Sequence, residues 1–215
     1  DHLDQVLATF GLILFFNEIV RILWGATALY TRVPELLGGR VEILPGAPYP
    51  TYRLAIIAVG LAVALLLYLL IAHTRVGMLI RAGASNRVML GALGVDVRAL
   101  YTLVFALGAA LAALAGVMAG PIFTVESGMG ESVLISAFVV IVIGGIGSIR
   151  GAFFGALIVG VVDTIGRTSL PLLLRQVTER SVADAAGPAL ASMLIYLLMA
   201  VVLAFRAQGL FPARK

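Results

Sequence analysis

Apolar residues in this chain come in long unbroken runs, and polar residues are confined to the stretches between them. Six runs stand out, at 6–25, 54–72, 99–120, 132–146, 152–166 and 189–205. None alternates apolar with polar positions as a membrane barrel strand must, so each is predicted to be a helix. An untilted helix crosses a bilayer with about 20 apolar residues, and about 17 is the lower limit. The fourth and fifth runs are shorter than that, and only Gly147-Ser148-Ile149-Arg150-Gly151 separates them. They read either as two tilted helices joined by a tight turn or as broken, re-entrant pieces. The longer polar breaks fall at 31–51, 73–98, 121–131 and 168–188. The first of these is dense in Gly and Pro and is predicted to be an irregular surface connection. The last is expected to hold a short surface helix around 172–179.

The break at 73–98 is the one that still reads as partly helical. It carries four arginines, Arg75, Arg81, Arg87 and Arg98, against a single acid, Asp96. A basic loop between two spans is retained on the cytoplasmic face. Within it, Ser85-Asn86 is predicted to cap a short helix that Gly94 ends. That helix would show Met89, Leu90 and Leu93 on one side, an apolar knob outside the bilayer with basic residues around it. From the residues alone the loop is either a docking surface for a soluble partner or a solvated stretch that only sets topology.

Composition bears out the membrane setting. The chain has 215 residues, 61% of them hydrophobic and 12% charged, where a soluble domain averages about 45–50% apolar and about 25% charged. So small a soluble body cannot bury that much apolar surface, and the bilayer must supply the apolar environment. The 24 glycines fit close helix packing in lipid. The expected fold class is all-α: a polytopic helical membrane protein of about six transmembrane or part-spanning helices, in one domain over 1–215.

Charge then fixes the orientation. Strict alternation from a cytoplasmic 73–98 loop puts Arg150, Arg206, Arg214 and Lys215 on the same side, eight basic residues in all against six opposite. The loops at 31–51, 121–131 and 168–188 are then external. The net charge of +4 is dispersed between spans, without the aromatic interleaving of a single-strand binder, so nucleic acid is not a partner. The chain opens on Asp1 with no signal-peptide pattern, and a preceding N-terminal portion is expected.

Candidate chemistry is sparse. There is no cysteine, and His2 and His73 lie far apart in the sequence, so no metal site is expected. Neither histidine is placed to activate a Ser or Thr with an acid beside it, so no catalytic set is expected either. Glu18 and Arg21 fall inside the first run at i, i+3 spacing, with Asn17 beside them. They mark either a polar patch on a translocation path or the interfacial end of a helix. Thr124 and Glu126, at the mouth of the following span, either contact a substrate-delivering protein or are simply hydrated. Gly144, Gly145 and Gly147 lack the strand and the Lys-Ser/Thr ending of a phosphate-binding loop. They are read instead as a place where backbones pass closely or a helix breaks.

Three stretches carry a resemblance. RAGASNRVMLGALGVDV followed by RALYTLVFALGAALAALAGVMAGP, then FVVIVIGGIGSIRGAFFGALIVG, then the ending FRAQGLFPARK appear in that order. Together they resemble the LivH-type permease family of bacterial ABC importers for branched-chain amino acids. Two features depart from the family pattern: Met89-Leu90 stands where many relatives have an Ala pair, and the family's earlier helices have no counterpart before Asp1. The resemblance implies that Arg81, Ala82, Ser85, Asn86, Arg87, Met89, Leu90 and Gly94 form a coupling helix. That helix would dock on two cytoplasmic ATPase subunits, which carry the ATP, while this chain binds no cofactor and is not an enzyme. It further implies a second permease subunit, a periplasmic substrate-binding protein, a small-molecule substrate, and a multi-pass location in the bacterial inner membrane. Related cargoes (urea, short amides or sugars) remain open. So do an ATP-independent carrier or channel, for which only Glu18 and Arg21 would serve as deep ionisable groups, and a membrane scaffold.

Overall fold

The computed structural model describes residues 2–44, 47–176 and 180–211. Helix α1 (His2–Trp24) leads through a short 3-10 turn (Glu35–Leu37) to strands β1 (Arg40–Leu44) and β2 (Ala47–Pro50). Then come α2 (Thr51–His73), α3 (Arg75–Ser85), α4 (Arg87–Ala92), α5 (Val97–Ala119), α6 (Met129–Gly144), α7 (Ile149–Leu174) and α8 (Arg180–Phe205). Each apolar run forms a helix, to within two residues at its ends, and the protein is a polytopic helical membrane protein. By length and composition, Asp4–Trp24, Thr51–His73, Val97–Ala119 and Ile149–Leu174 are able to cross a membrane, while Met129–Gly144 and Ala189–Phe205 are shorter apolar helices.

The fifth run is longer than its apolar stretch suggests. Polar residues at 163, 164, 167 and 168 do not interrupt α7, because their side chains find partners on the helix itself. Thr164 donates to the Gly160 carbonyl at 2.7 Å and Thr168 to the Thr164 carbonyl at 2.8 Å. Arg167 Nε pairs with Asp163 one turn back at 2.8 Å. Residues 172–174, expected to start a separate surface helix, are the end of α7, and 177–179 lie outside the described residues.

Part of the connection at 31–51, expected to be irregular from its Gly and Pro content, is a β-ribbon. β1 and β2 pair antiparallel, with Arg40 opposite Pro50 and Glu42 opposite Pro48. A two-stranded ribbon has only edges, where a proline without an N–H is tolerated. The Thr51 N–H donates to the Gly39 carbonyl at 3.0 Å, which joins the ribbon to the start of α2.

The chain divides into two compact units, Asp1–Ser127 and Gly128–Lys215. In the first, buried Tyr52 donates its hydroxyl to the Met118 carbonyl at 3.0 Å, tying α2 to α5. The second is built around Val139, Ile143, Val159 and Ile195 from α6, α7 and α8. There α6 and α7 pass backbone against backbone: a Cβ on Gly155 would stand 2.7 Å from the Val140 carbonyl oxygen, and Gly144 and Gly151 face one another more closely still. Elsewhere large apolar side chains point outward, Ile22 at 74% and Phe105 at 79% exposure among them, as a chain solvated by lipid requires.

Candidate functional site

Asn86 organises the 73–98 segment. Its N–H donates to the Ala82 carbonyl at 2.9 Å, ending α3, and its Oδ1 accepts the Met89 N–H at 3.0 Å, starting α4. The segment therefore holds two helices where one was predicted. Ser85 is the last residue of α3, and Asn86 alone supplies the cap. Gly94 closes α4 with φ +83°, a left-handed conformation that costs glycine nothing. Its N–H donates to the Gly91 carbonyl at 3.0 Å, and Asp96 Oδ1 then caps α5 by accepting the Ala99 N–H at 3.0 Å.

Leu90 does not belong to the exposed knob predicted for it. It is 4% exposed and packs into the space beside Gly83 of α3, which also borders Leu100 of α5. The two-turn helix α4 must seat one apolar residue against its neighbours to be held at all, and only a side chain facing a glycine has room to do so. The outward apolar face consists instead of Val88, Met89 and Leu93, at 77%, 61% and 73% exposure, with exposed Arg87 next to it.

Arg81 turns back toward the membrane helices: its guanidinium donates to the Ile71 carbonyl in the last turn of α2. Thr74, the lone residue between α2 and α3, accepts the Gly77 N–H at 3.1 Å and donates to the Leu70 carbonyl. Gly77 is buried directly against the backbone of Leu70 and Ile71, where any Cβ would collide. Ala82 is exposed and enters only through its carbonyl.

The segments that carry the other polar candidates touch through backbone groups. The Ser127 hydroxyl donates to the Asn17 carbonyl at 3.1 Å, and Leu29 and Val125 exchange backbone hydrogen bonds at 2.8 and 3.0 Å. Thr124 is half-buried beside this bridge and Glu126 is exposed. Glu18 and Arg21 stand 3.9 Å apart on α1, both more than half exposed. Ser127 lies in the 121–131 loop, but its bridge to Asn17 and the part played by Leu29 leave no local signal, because the partners are so far apart in the sequence.

In the second unit the Gly144–Gly147 stretch is where α6 stops. Gly145 has φ +104° and lies against the backbone of Gln208 and Phe211, and Gly147 has φ +83°. The Leu210 and Phe211 N–H groups donate to the Ile143 and Gly144 carbonyls at 2.9 and 3.0 Å. The segment after α8 thus satisfies helix-end carbonyls of α6 that would otherwise lack partners. Among the described residues no group of three or more His, Asp or Glu is placed to hold a metal ion.

Residues 2–203 match the model of the branched-chain amino acid transport system / permease component family. The chain belongs to this family. Among the relatives of this permease is the high-affinity branched-chain amino acid transport system permease protein BraD of Pseudomonas aeruginosa, 29% identical over 215 residues, 98% of this chain. LivH of Salmonella typhimurium, with the same description, is 30% identical over 174 residues, 79% of this chain. A probable branched-chain amino acid transport permease protein LivH of Methanocaldococcus jannaschii is 30% identical over 99 residues, 46% of this chain. The chain spans 64% of the length of BraD, 56% of the Salmonella LivH and 31% of the Methanocaldococcus protein. No solved structure matches it.

Proposed function

We propose that this protein is a membrane-spanning permease subunit of an ABC importer for branched-chain amino acids in the bacterial inner membrane. A periplasmic binding protein delivers the amino acid to the end where Ser127 meets the Asn17 carbonyl. The substrate crosses between this subunit and a second permease. Two cytoplasmic ATPase subunits dock on α4 and power the cycle, and this chain supplies path walls and mechanical coupling with no bond-making chemistry.

The observation that carries this reading is the construction of α4. A six-residue helix with a side-chain cap at one end and a glycine stop at the other is fixed to its neighbours through buried Leu90. It presents Val88, Met89 and Leu93 beside Arg87 on the outside. An apolar helical face laid into a groove, with charge around it to set orientation, is a recurring mode of recognition. Family membership supplies the transport context.

The test is the double substitution Val88→Glu, Met89→Asp. Both side chains point away from the protein, so membrane insertion is retained while co-purification of the ATPases and uptake of labelled leucine are lost. Normal uptake and normal ATPase recovery by that variant would remove α4 as the docking element. Competition of labelled leucine by excess urea or ribose, in cells where the permease is the sole route, would redirect the cargo assignment.

A further inference from the structure

We infer that Thr74, Gly77 and Arg81 lock α2 and α3 into a rigid elbow, which carries displacement of the α3–α4 pair into the α2 span. This rests on the importer reading above and specifies how force travels within it.

One residue, Thr74, separates the end of α2 at His73 from the start of α3 at Arg75. A joint of a single extended residue, with φ −109° and ψ 159°, is by itself a hinge about those two dihedrals. A hinge would absorb a push on α4 without passing it on. Three contacts remove that freedom. The Thr74 hydroxyl spans the joint, donating to Leu70 in α2 while accepting from Gly77 in α3. Gly77, lacking a side chain, lets the first turn of α3 rest on the backbone of Leu70 and Ile71. Arg81, one turn farther along α3, reaches back to the Ile71 carbonyl.

Two of these contacts hold the first turn of α3 at Gly77 and the third holds the next turn at Arg81, and all end on the last turn of α2, so rotation about Thr74 breaks at least one of them. At its far end α3 receives α4 through Leu90 against Gly83. A packed path therefore runs from Val88 and Met89 to α2. Transmission between sites requires such an element with two discrete placements, rather than a flexible tether. Thr74 and Arg81 are positioning residues, because each acts through the α2 carbonyl it holds.

The experiment uses the full importer in proteoliposomes, with Thr74→Val, Arg81→Gln and Thr74→Ser compared to wild type. Thr74→Val keeps the side-chain shape and deletes both hydroxyl bonds. The expected result for Thr74→Val and Arg81→Gln is ATPase recovery as in wild type, continued ATP hydrolysis, and a roughly tenfold fall in labelled leucine delivered per ATP. Thr74→Ser retains the hydroxyl and keeps the wild-type ratio. In parallel, spin labels at cysteines replacing Leu65 and Ala84 give a narrow distance distribution that broadens in Thr74→Val.

Wild-type leucine-to-ATP ratios in both Thr74→Val and Arg81→Gln would overturn the elbow while leaving the importer reading standing. Loss of ATPase binding together with uptake in Thr74→Val would also overturn it, by assigning Thr74 to folding. A wild-type protein that recovers no ATPase would remove the importer reading, and the elbow with it.

Discussion

Leu90 fills the space left open by Gly83: a Cβ on that glycine would stand 3.4 Å from Leu90 Cδ2 and 3.5 Å from Leu100 Cδ2. The three residues belong to three consecutive helices, so one close approach fixes the position of α4 relative to both of its neighbours. An isolated helix of six residues has no stability of its own in water, since nucleation is costly and far more residues are needed to offset it. Tertiary seating is what holds α4 in one place.

Leu90→Ala is therefore expected to loosen α4, at a cost of about 2 kcal/mol, the low end for a buried Leu truncation because a short surface helix is able to collapse toward the gap. Thermal unfolding of the detergent-solubilised protein measures it. Met89→Ala, on the outward face, should leave the unfolding temperature unchanged. Equal shifts for the two variants would contradict the inward placement of Leu90.

Asn86→Ala removes the side-chain acceptor for the Met89 N–H, a loss of about 1 kcal/mol for an N-cap. Amide exchange across 89–92 should accelerate, and Asn86→Asp or Asn86→Ser should restore protection. Unchanged exchange in the alanine variant would mean that the cap does not hold the helix.

The chain contains no cysteine, so one introduced thiol reports membrane sidedness without background. Val88→Cys is expected to react with a membrane-impermeant maleimide only after cells are opened, and Ser127→Cys to react in intact cells. Labelling of Val88→Cys from outside would invert the orientation drawn from the basic loop.

Gly144→Val and Gly151→Val place side chains where backbone already stands, and each should destabilise the second unit by about 1–3 kcal/mol or more, as overpacking does. Gly160 has nothing within 4 Å of a built Cβ. Gly160→Ala should be neutral or stabilise by about 0.5–1 kcal/mol, since alanine favours a helix interior over glycine. Expression level and thermal stability separate the two cases.

The helices were legible in the sequence because lipid imposes a one-dimensional rule: a stretch of about 20 apolar residues that must satisfy its own hydrogen bonds becomes a helix wherever it sits. The stop at Gly94 and the cap at Asn86 were legible for a similar reason, being local chemistry within one turn. What the chain alone left undecided is whatever depends on two distant segments meeting. The inward turn of Leu90 depends on Gly83, the retraction of Arg81 on Ile71, the bridge from Ser127 to Asn17 on a separation of 110 residues, and the end of α6 on Leu210 and Phe211. Hydrophobicity says that a residue leaves water. It does not say which neighbour receives it, because that is settled by shape and by unpaired carbonyls that exist only once the helices are side by side.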